Sequence, residues 1–194
     1  MPEVDSIKFF KGFLEHPRAV GAVLPSSQYL AQAMLQKIDW ANTRAIAEIG
    51  PGTGPFTQAI LERHSQTTQF FAVELDETFA GLLQSRYPGA DMIQGDASLL
   101  REYCDQRHIE RLDAIVSGLP WAIFPEDLQQ KLLSAILDTL APGGKFSTFA
   151  YVHGLWMPAG RRFRGLLHKQ FRSVETSPIV WRNAPPAIVY HCQK

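Results

Sequence analysis

The stretch "AIAEIGPGTGPFTQAIL", residues 45–61, sets three glycines between an apolar run and a helical pattern. A glycine-rich turn between a strand and a helix lets a ligand approach bare backbone. Spacing decides which ligand. A dinucleotide site needs G-x-G-x-x-G, whose third glycine lets helix and strand pack closely. Here Gly50 and Gly52 put that third position at Pro55, and no second domain is expected to hold a hydride acceptor. A nicotinamide cofactor is therefore excluded. The spacing present is Glu48-x-Gly50-x-Gly52-x-Gly54.

Outward from this loop, apolar strand-like runs alternate with helical patterns from Arg44 onward, the mark of a parallel α/β sheet. The pattern predicts strands near 44–49, 69–74, 91–94, 113–117, 144–151, 171–177 and 187–192. Helices are predicted near 26–38, 54–64, 76–86, 97–107, 126–140 and 160–169. "LPSSQYL" offers a serine N-cap, and "APGGKF" a helix stop before a strand. The fold class is thus α/β, a doubly wound, seven-stranded, mostly parallel sheet. Residues 1–43 are expected to form an N-terminal helical appendage, and 44–194 the main domain.

With 194 residues, 45% hydrophobic and 20% charged, the chain suits one globular domain. Cys104 and Cys192 lie far apart with no metal-type spacing, and "MPEVDSIKFF" lacks the apolar core of a signal peptide. A reduced, cytoplasmic protein without a metal is expected, and no run approaches the roughly 18 apolar residues of a membrane span. The zero net charge hides a split: residues 1–150 carry 12 Lys and Arg against 18 Asp and Glu, residues 151–194 seven against one. The basic tail is either a solvated face balancing an acidic body or a cationic surface for a partner. In "SIKFFKGFLEH", Ile7, Phe9, Phe10, Phe13 and Leu14 fall on one helical arc, with Lys8 and Lys11 opposite. Such a helix either packs across a sheet edge or lies on a membrane surface.

The E-x-G-x-G-x-G loop resembles motif I of class I S-adenosylmethionine-dependent methyltransferases, a likeness covering residues 44–150. It implies a Rossmann-like methyltransferase fold with S-adenosylmethionine as cofactor and S-adenosylhomocysteine as product. Carried over residue by residue, Gly50, Gly52 and Gly54 form the cofactor loop, and Glu48 orients it or helps anchor the methionine amino group. Glu74, in "FFAVELD" beside Leu75, would accept hydrogen bonds from the ribose hydroxyls. Asp96, in "MIQGDAS", would meet the adenine amino group with Ala97 nearby.

After the fourth strand, "DAIVSGLPW" resembles the N-[IL]-P-[YF] motif of ribosomal-RNA adenine-N6 dimethyltransferases, but Gly118 stands where asparagine would be. A fuller likeness is to the soluble bacterial phospholipid N-methyltransferases. It rests on "FFKGFLEHPRAVGAVLPSS", "EIGPGTGPFT", "SGLPW" and "VWRNAPPAIVY". That resemblance implies methylation of the phosphatidylethanolamine amine, on towards phosphatidylcholine, with an ornithine lipid as another acceptor of the same kind. The alternatives are an RNA-adenine methyltransferase and a catalytically idle, membrane-binding module.

Under the lipid reading, the backbone of Ser117, Gly118 and Leu119 and the Trp121 ring hold the amine against the methyl carbon, Ser117 also bordering the cofactor. Tyr151 and His153 supply a polar partner or proton acceptor, and His153, Arg161, Arg162 and Arg164 face substrate or membrane. The expected partners are an aminophospholipid and an anionic membrane surface, bound peripherally and reversibly by a cytoplasmic monomer at the inner face of the membrane. No nucleic acid is expected.

Overall fold

A computed structural model describes residues 26–194. The seven strands are β1 (Ala45–Ile49), β2 (Gln69–Glu74), β3 (Asp91–Gln94), β4 (Leu112–Ser117), β5 (Leu140–Tyr151), β6 (Ser173–Thr176) and β7 (Ala187–Gln193). They form one sheet in the order β3-β2-β1-β4-β5-β7-β6. β1 to β5 pair in parallel, whereas β7 runs antiparallel to both β5 and β6. All five residues of β1 are buried, as a strand covered on both faces requires.

The helices are α1 (Gln28–Leu35), α2 (Pro55–Leu61), α3 (Glu77–Arg86), α4 (Leu100–Gln106), α5 (Glu126–Thr139) and α6 (Pro158–Gln170). Alternation along β1 splits the core between the two faces of the sheet. Ile46 joins Leu30, Met34, Phe56 and Val189 on the side of α1 and α2, whereas Ala47 and Ile49 join Leu100, Cys104, Leu133 and Phe163 on the other.

Three expectations change. Residues 26–43 are no appendage: Leu30, Ala31, Met34 and Leu35 of α1 are buried against the sheet, so the division at 43/44 cuts through a core layer. Ser27 caps α1, its hydroxyl accepting the Leu30 N–H at 3.2 Å. The 97–107 helix divides into a 3-10 turn, Ala97–Leu99, capped by the Asp96 side chain, and α4. The "APGG" stretch belongs to β5, which reaches back to Leu140 through an irregularity: Leu112 pairs Leu140, but Ala114 pairs Lys145. Gly143, at a φ of 78°, takes the left-handed turn this needs. The proposed amphipathic residues Ile7, Lys8, Phe9, Phe10, Lys11, Phe13 and Leu14 lie outside the described residues.

Candidate active site

The parallel strands bring Ile49, Glu74, Gln94 and Ser117 to one edge, where the loops that follow them meet. Gly50, Gly52 and Gly54 all have positive φ, of 66°, 56° and 86°, so the loop between β1 and α2 needs residues without a Cβ. Close packing adds a second demand. A Cβ on Gly50 would lie 2.5 Å from Leu119 Cδ2, and one on Gly54 2.5 Å from Leu83 Cδ2, whereas one on Gly52 would point into open space.

One acid braces this loop and another the helix that follows it. Glu74, at the end of β2, accepts the Gly52 N–H at 2.9 Å and the Asp76 N–H at 3.0 Å, one on each carboxylate oxygen. Burial raises the Glu74 pKa. Glu48 is fully buried; its Oε2 accepts the Thr57 hydroxyl at 2.7 Å, and its Oε1 has no partner among the described residues. Burial, and secondarily the charge of Glu74, push the Glu48 carboxyl up to about 8 against the opposing Thr57 bond.

The sign of that shift gives a stability prediction. Between about 4.5, its ordinary value, and about 8, Glu48 stays protonated in the fold while the unfolded chain ionises. Its contribution to stability is full below the lower value, declines as pH rises through the window, and is flat above it. Glu48→Gln keeps the shape and removes this share of the slope, so the mutant should gain melting temperature over the parent at pH 8 compared with pH 5. Parallel melting-temperature profiles would show that Glu48 titrates alike in both states.

Beside Gly50 opens a crevice bordered by Leu75, Asp96, Ala97, Leu119 and, from the opposite side, Phe124, Leu128 and Leu132. The last three were missed from the sequence. Leu128 and Leu132 sit four apart on α5 and read as ordinary core spacing, so only the placement of α5 over the crevice marks them. The residues present fit S-adenosylmethionine: Glu74 is a buried acceptor tied to the glycine loop, and Leu75, Ala97, Leu119 and Phe124 offer an apolar slot for a flat base.

The loop after β4 closes the other side. Gly118 N–H donates to the Ile49 carbonyl at 2.9 Å, and a Cβ on Gly118 would fall 2.2 Å from the Gly50 carbonyl oxygen. The loop after β4 and the glycine loop thus touch backbone to backbone. Of the carbonyls here, Ser117 O accepts the Thr148 hydroxyl, Leu119 O the Trp121 N–H and Pro120 O the Ile123 N–H. The half-buried Gly118 carbonyl has no such bond among the described residues.

Trp121 is corrected by the structure. Its ring does not wall the acceptor side: it is 2% exposed and stacks on Phe163 at 4.4 Å. Its Nε1–H donates to Ser117 Oγ at 3.1 Å, and that hydroxyl also accepts the Leu119 N–H, so the side chains of both Trp121 and Ser117 brace the loop from inside. Trp121→Phe should keep the stacking and lose about 1 kcal/mol with the hydrogen bond. A melting-temperature fall of about 2–4 °C is the expected reading, with methyl transfer falling more than cofactor affinity; no fall at all would mean the bond carries nothing.

Tyr151 is the last residue of β5, and His153 stands two residues past it. An aromatic series runs to them from the glycine loop: Phe56 meets Phe149 edge-on at 5.9 Å, Phe149 meets Tyr151 at 5.2 Å, and Tyr151 stacks on exposed His153 at 5.6 Å. Burial raises the Tyr151 pKa, which keeps its hydroxyl a neutral donor. Arg161, Arg162 and Arg164 are exposed on α6 rather than in the crevice, Arg162 lying 3.8 Å from Glu126.

Residues 46–144 match the family model described as a methyltransferase domain. The chain is also 33% identical over 192 residues to an ornithine lipid N-methyltransferase of Singulisphaera acidiphila, covering 97% of this chain and 96% of the relative. The chain is a class I S-adenosylmethionine-dependent methyltransferase. A ribosomal RNA small subunit methyltransferase A of Hydrogenobaculum is 29% identical to the methyltransferase over 132 residues, covering 66% of the chain and 50% of the relative. The methyltransferase therefore spans about half the length of that RNA-directed relative. A solved structure, a putative O-methyltransferase from Klebsiella pneumoniae, superposes with a TM-score of 0.69 at 14% identity, covering 100% of this chain and 91% of that one, which bears on the fold alone. S-adenosylmethionine is the cofactor of the methyltransferase.

Proposed function

We propose that this methyltransferase transfers methyl groups to the amine of a lipid headgroup at a membrane surface, with an ornithine lipid as the first acceptor to test and phosphatidylethanolamine as the second. The observation that carries the reading is the contact of Gly118 with the Gly50 carbonyl: an acceptor loop packed this tightly has no room for the asparagine side chain that reads adenine. What remains for recognition is backbone and apolar wall, which suits a small amine on a flexible tether. The full-length relative acting on ornithine lipid supports the same class.

S-adenosylmethionine, when bound, supplies an electrophilic methyl carbon on a sulfonium. The protein's share is alignment and exclusion of water. The Gly118 carbonyl accepts an N–H of the neutral amine and aims its lone pair at that carbon. Leu119 and Phe124 keep water out. The Tyr151 hydroxyl steadies the headgroup as a donor, and the ammonium proton leaves towards His153 at the solvent end of the aromatic series. Among the described residues no helix is long and apolar enough to cross a membrane; the attachment we propose is peripheral, at the cytoplasmic face.

The test incubates the purified chain with methyl-labelled S-adenosylmethionine and, separately, ornithine lipid in mixed micelles, phosphatidylethanolamine in mixed micelles, and ribosomal RNA. Label in a lipid amine is the expected result. Label in RNA alone would overturn the proposal.

A further inference from the structure

Large apolar side chains exposed among the described residues are Tyr29, Leu82, Leu99, Trp156, Met157, Ile179 and Trp181, and five of the seven gather at one end of the sheet. Trp156 and Met157 follow closely on β5. Val180, flanked by Ile179 and Trp181, bridges Ala187, which pairs with Tyr151 at the end of β5. Tyr29 lies in the first turn of α1 and is tied to the same loop, its hydroxyl accepting from Arg182 at 2.8 Å. This is also the edge that carries Ser117 and the glycine loop. The two tryptophans are 73% and 72% exposed, extreme for residues of that size.

The corner bearing Trp156 and Met157 is held firmly. A Cβ on Gly160 would fall 2.2 Å from the Gly154 carbonyl oxygen, and one on Gly154 3.2 Å from Ala122 Cβ, three residues beyond Leu119. Gln129 adds a clamp, its amide donating to the Trp121 and Ala159 carbonyls at 2.7 and 3.1 Å. The exposed indole thus stands on a support shared with the acceptor loop. Cations flank it: the Arg161 guanidinium lies 5.9 Å from the Trp156 ring centre and that of Arg182 4.9 Å from the Tyr29 ring centre. The first two turns of α6 carry Arg161, Arg162 and Arg164 and no acid.

We propose that Trp156, Met157, Ile179 and Trp181, with Arg161 and Arg182, form a rigid interfacial wedge that seats this edge on an anionic bilayer and turns the acceptor loop towards the lipid. The proposal rests on the aminolipid reading above and assigns its membrane contact to folded residues. Exposed indoles beside arginines match the chemistry of a headgroup layer, where aromatic rings settle and anionic phosphates draw cations. Fixed on a rigid corner, the side chains lose little freedom on insertion.

The test uses the full chain and sedimentation with phosphatidylcholine vesicles, with or without phosphatidylglycerol. Trp156→Ser with Trp181→Ser should weaken partition onto the anionic vesicles at least about tenfold, whereas the paired Trp→Phe variant keeps most of it. Melting temperature should match the parent's, and S-adenosylhomocysteine affinity and methylation of micellar aminolipid should stay within about twofold of it, because neither tryptophan lines the crevice. Vesicle binding by the serine variant equal to the parent's overturns the wedge, as do tryptophan-dependent dimers in a parent that binds no vesicles. Absence of methylation on every micellar aminolipid would instead overturn the reaction, leaving vesicle partition to score the wedge by itself.

Discussion

Gly118→Asn is expected to lower kcat/KM for methyl transfer at least about 100-fold, the scale on which a displacement of about 1 Å at a reacting centre is felt. The cause is a clash with backbone, since the new Cβ would lie 2.2 Å from the Gly50 carbonyl oxygen and 3.3 Å from its carbon. Neither loop can yield cheaply. Gly118 N–H is bonded to Ile49 O and Gly50 N–H to Val73 O, both at 2.9 Å, so separating them strains the ends of β1 and β4 together. Overpacking of this kind costs about 1–3 kcal/mol of stability, and a lower melting temperature should accompany the lost activity. Gly118→Ala should fail nearly as badly, which separates the steric cause from any property of the amide. Gly165→Ala serves as control: its Cβ meets nothing within 4 Å on the exposed side of α6, and removing a glycine from a helix interior should stabilise by about 0.5–1 kcal/mol. Full activity in Gly118→Ala would remove the acceptor loop from the site.

Glu74→Ala should raise the dissociation constant of S-adenosylhomocysteine about 100-fold, read by calorimetry. One charged hydrogen bond contributes about 1.5–3 kcal/mol, and two ribose hydroxyls would share this carboxylate. The loop is loosened as well, because the Gly52 and Asp76 N–H groups lose their acceptor. Stability should suffer less than affinity: burial already penalises the ionised carboxylate, so its removal relieves a cost while it breaks two bonds. Glu74→Gln, neutral but of the same shape, should fall between the parent and the alanine variant. Unchanged affinity in the alanine variant would place the ribose elsewhere.

Much of the architecture was legible from the chain because its signals are local. Alternation of apolar runs with helical periods marks a parallel sheet, and each strand from β1 to β5 had its counterpart in such a run. The spacing of Glu48, Gly50, Gly52 and Gly54 separated this loop from a dinucleotide site, since the positions where a Cβ is forbidden are written as glycines. Serine ahead of α1 announces a helix start, and the Ser27 hydroxyl does accept the Leu30 N–H at 3.2 Å.

What the sequence by itself determined, then, is the order of elements, the glycine turn after β1 and the acids at the strand ends, all set by backbone conformation and nearest neighbours in the chain. Tertiary structure alone decided which way side chains face. Trp121 follows an acceptor motif in which an aromatic ring would stack on substrate, yet α6 brings Phe163 to within 4.4 Å and Ser117 offers a buried acceptor, so the ring turns inward. Leu128 and Leu132 look like core on α5 and become a wall of the crevice because α5 crosses the strand ends. Trp156 and Trp181, far apart in the chain, are brought to one edge by the antiparallel pairing of β5 with β7. Such outcomes depend on contacts between residues distant in the chain, and periodicity, which records only the neighbours along it, carries no trace of them.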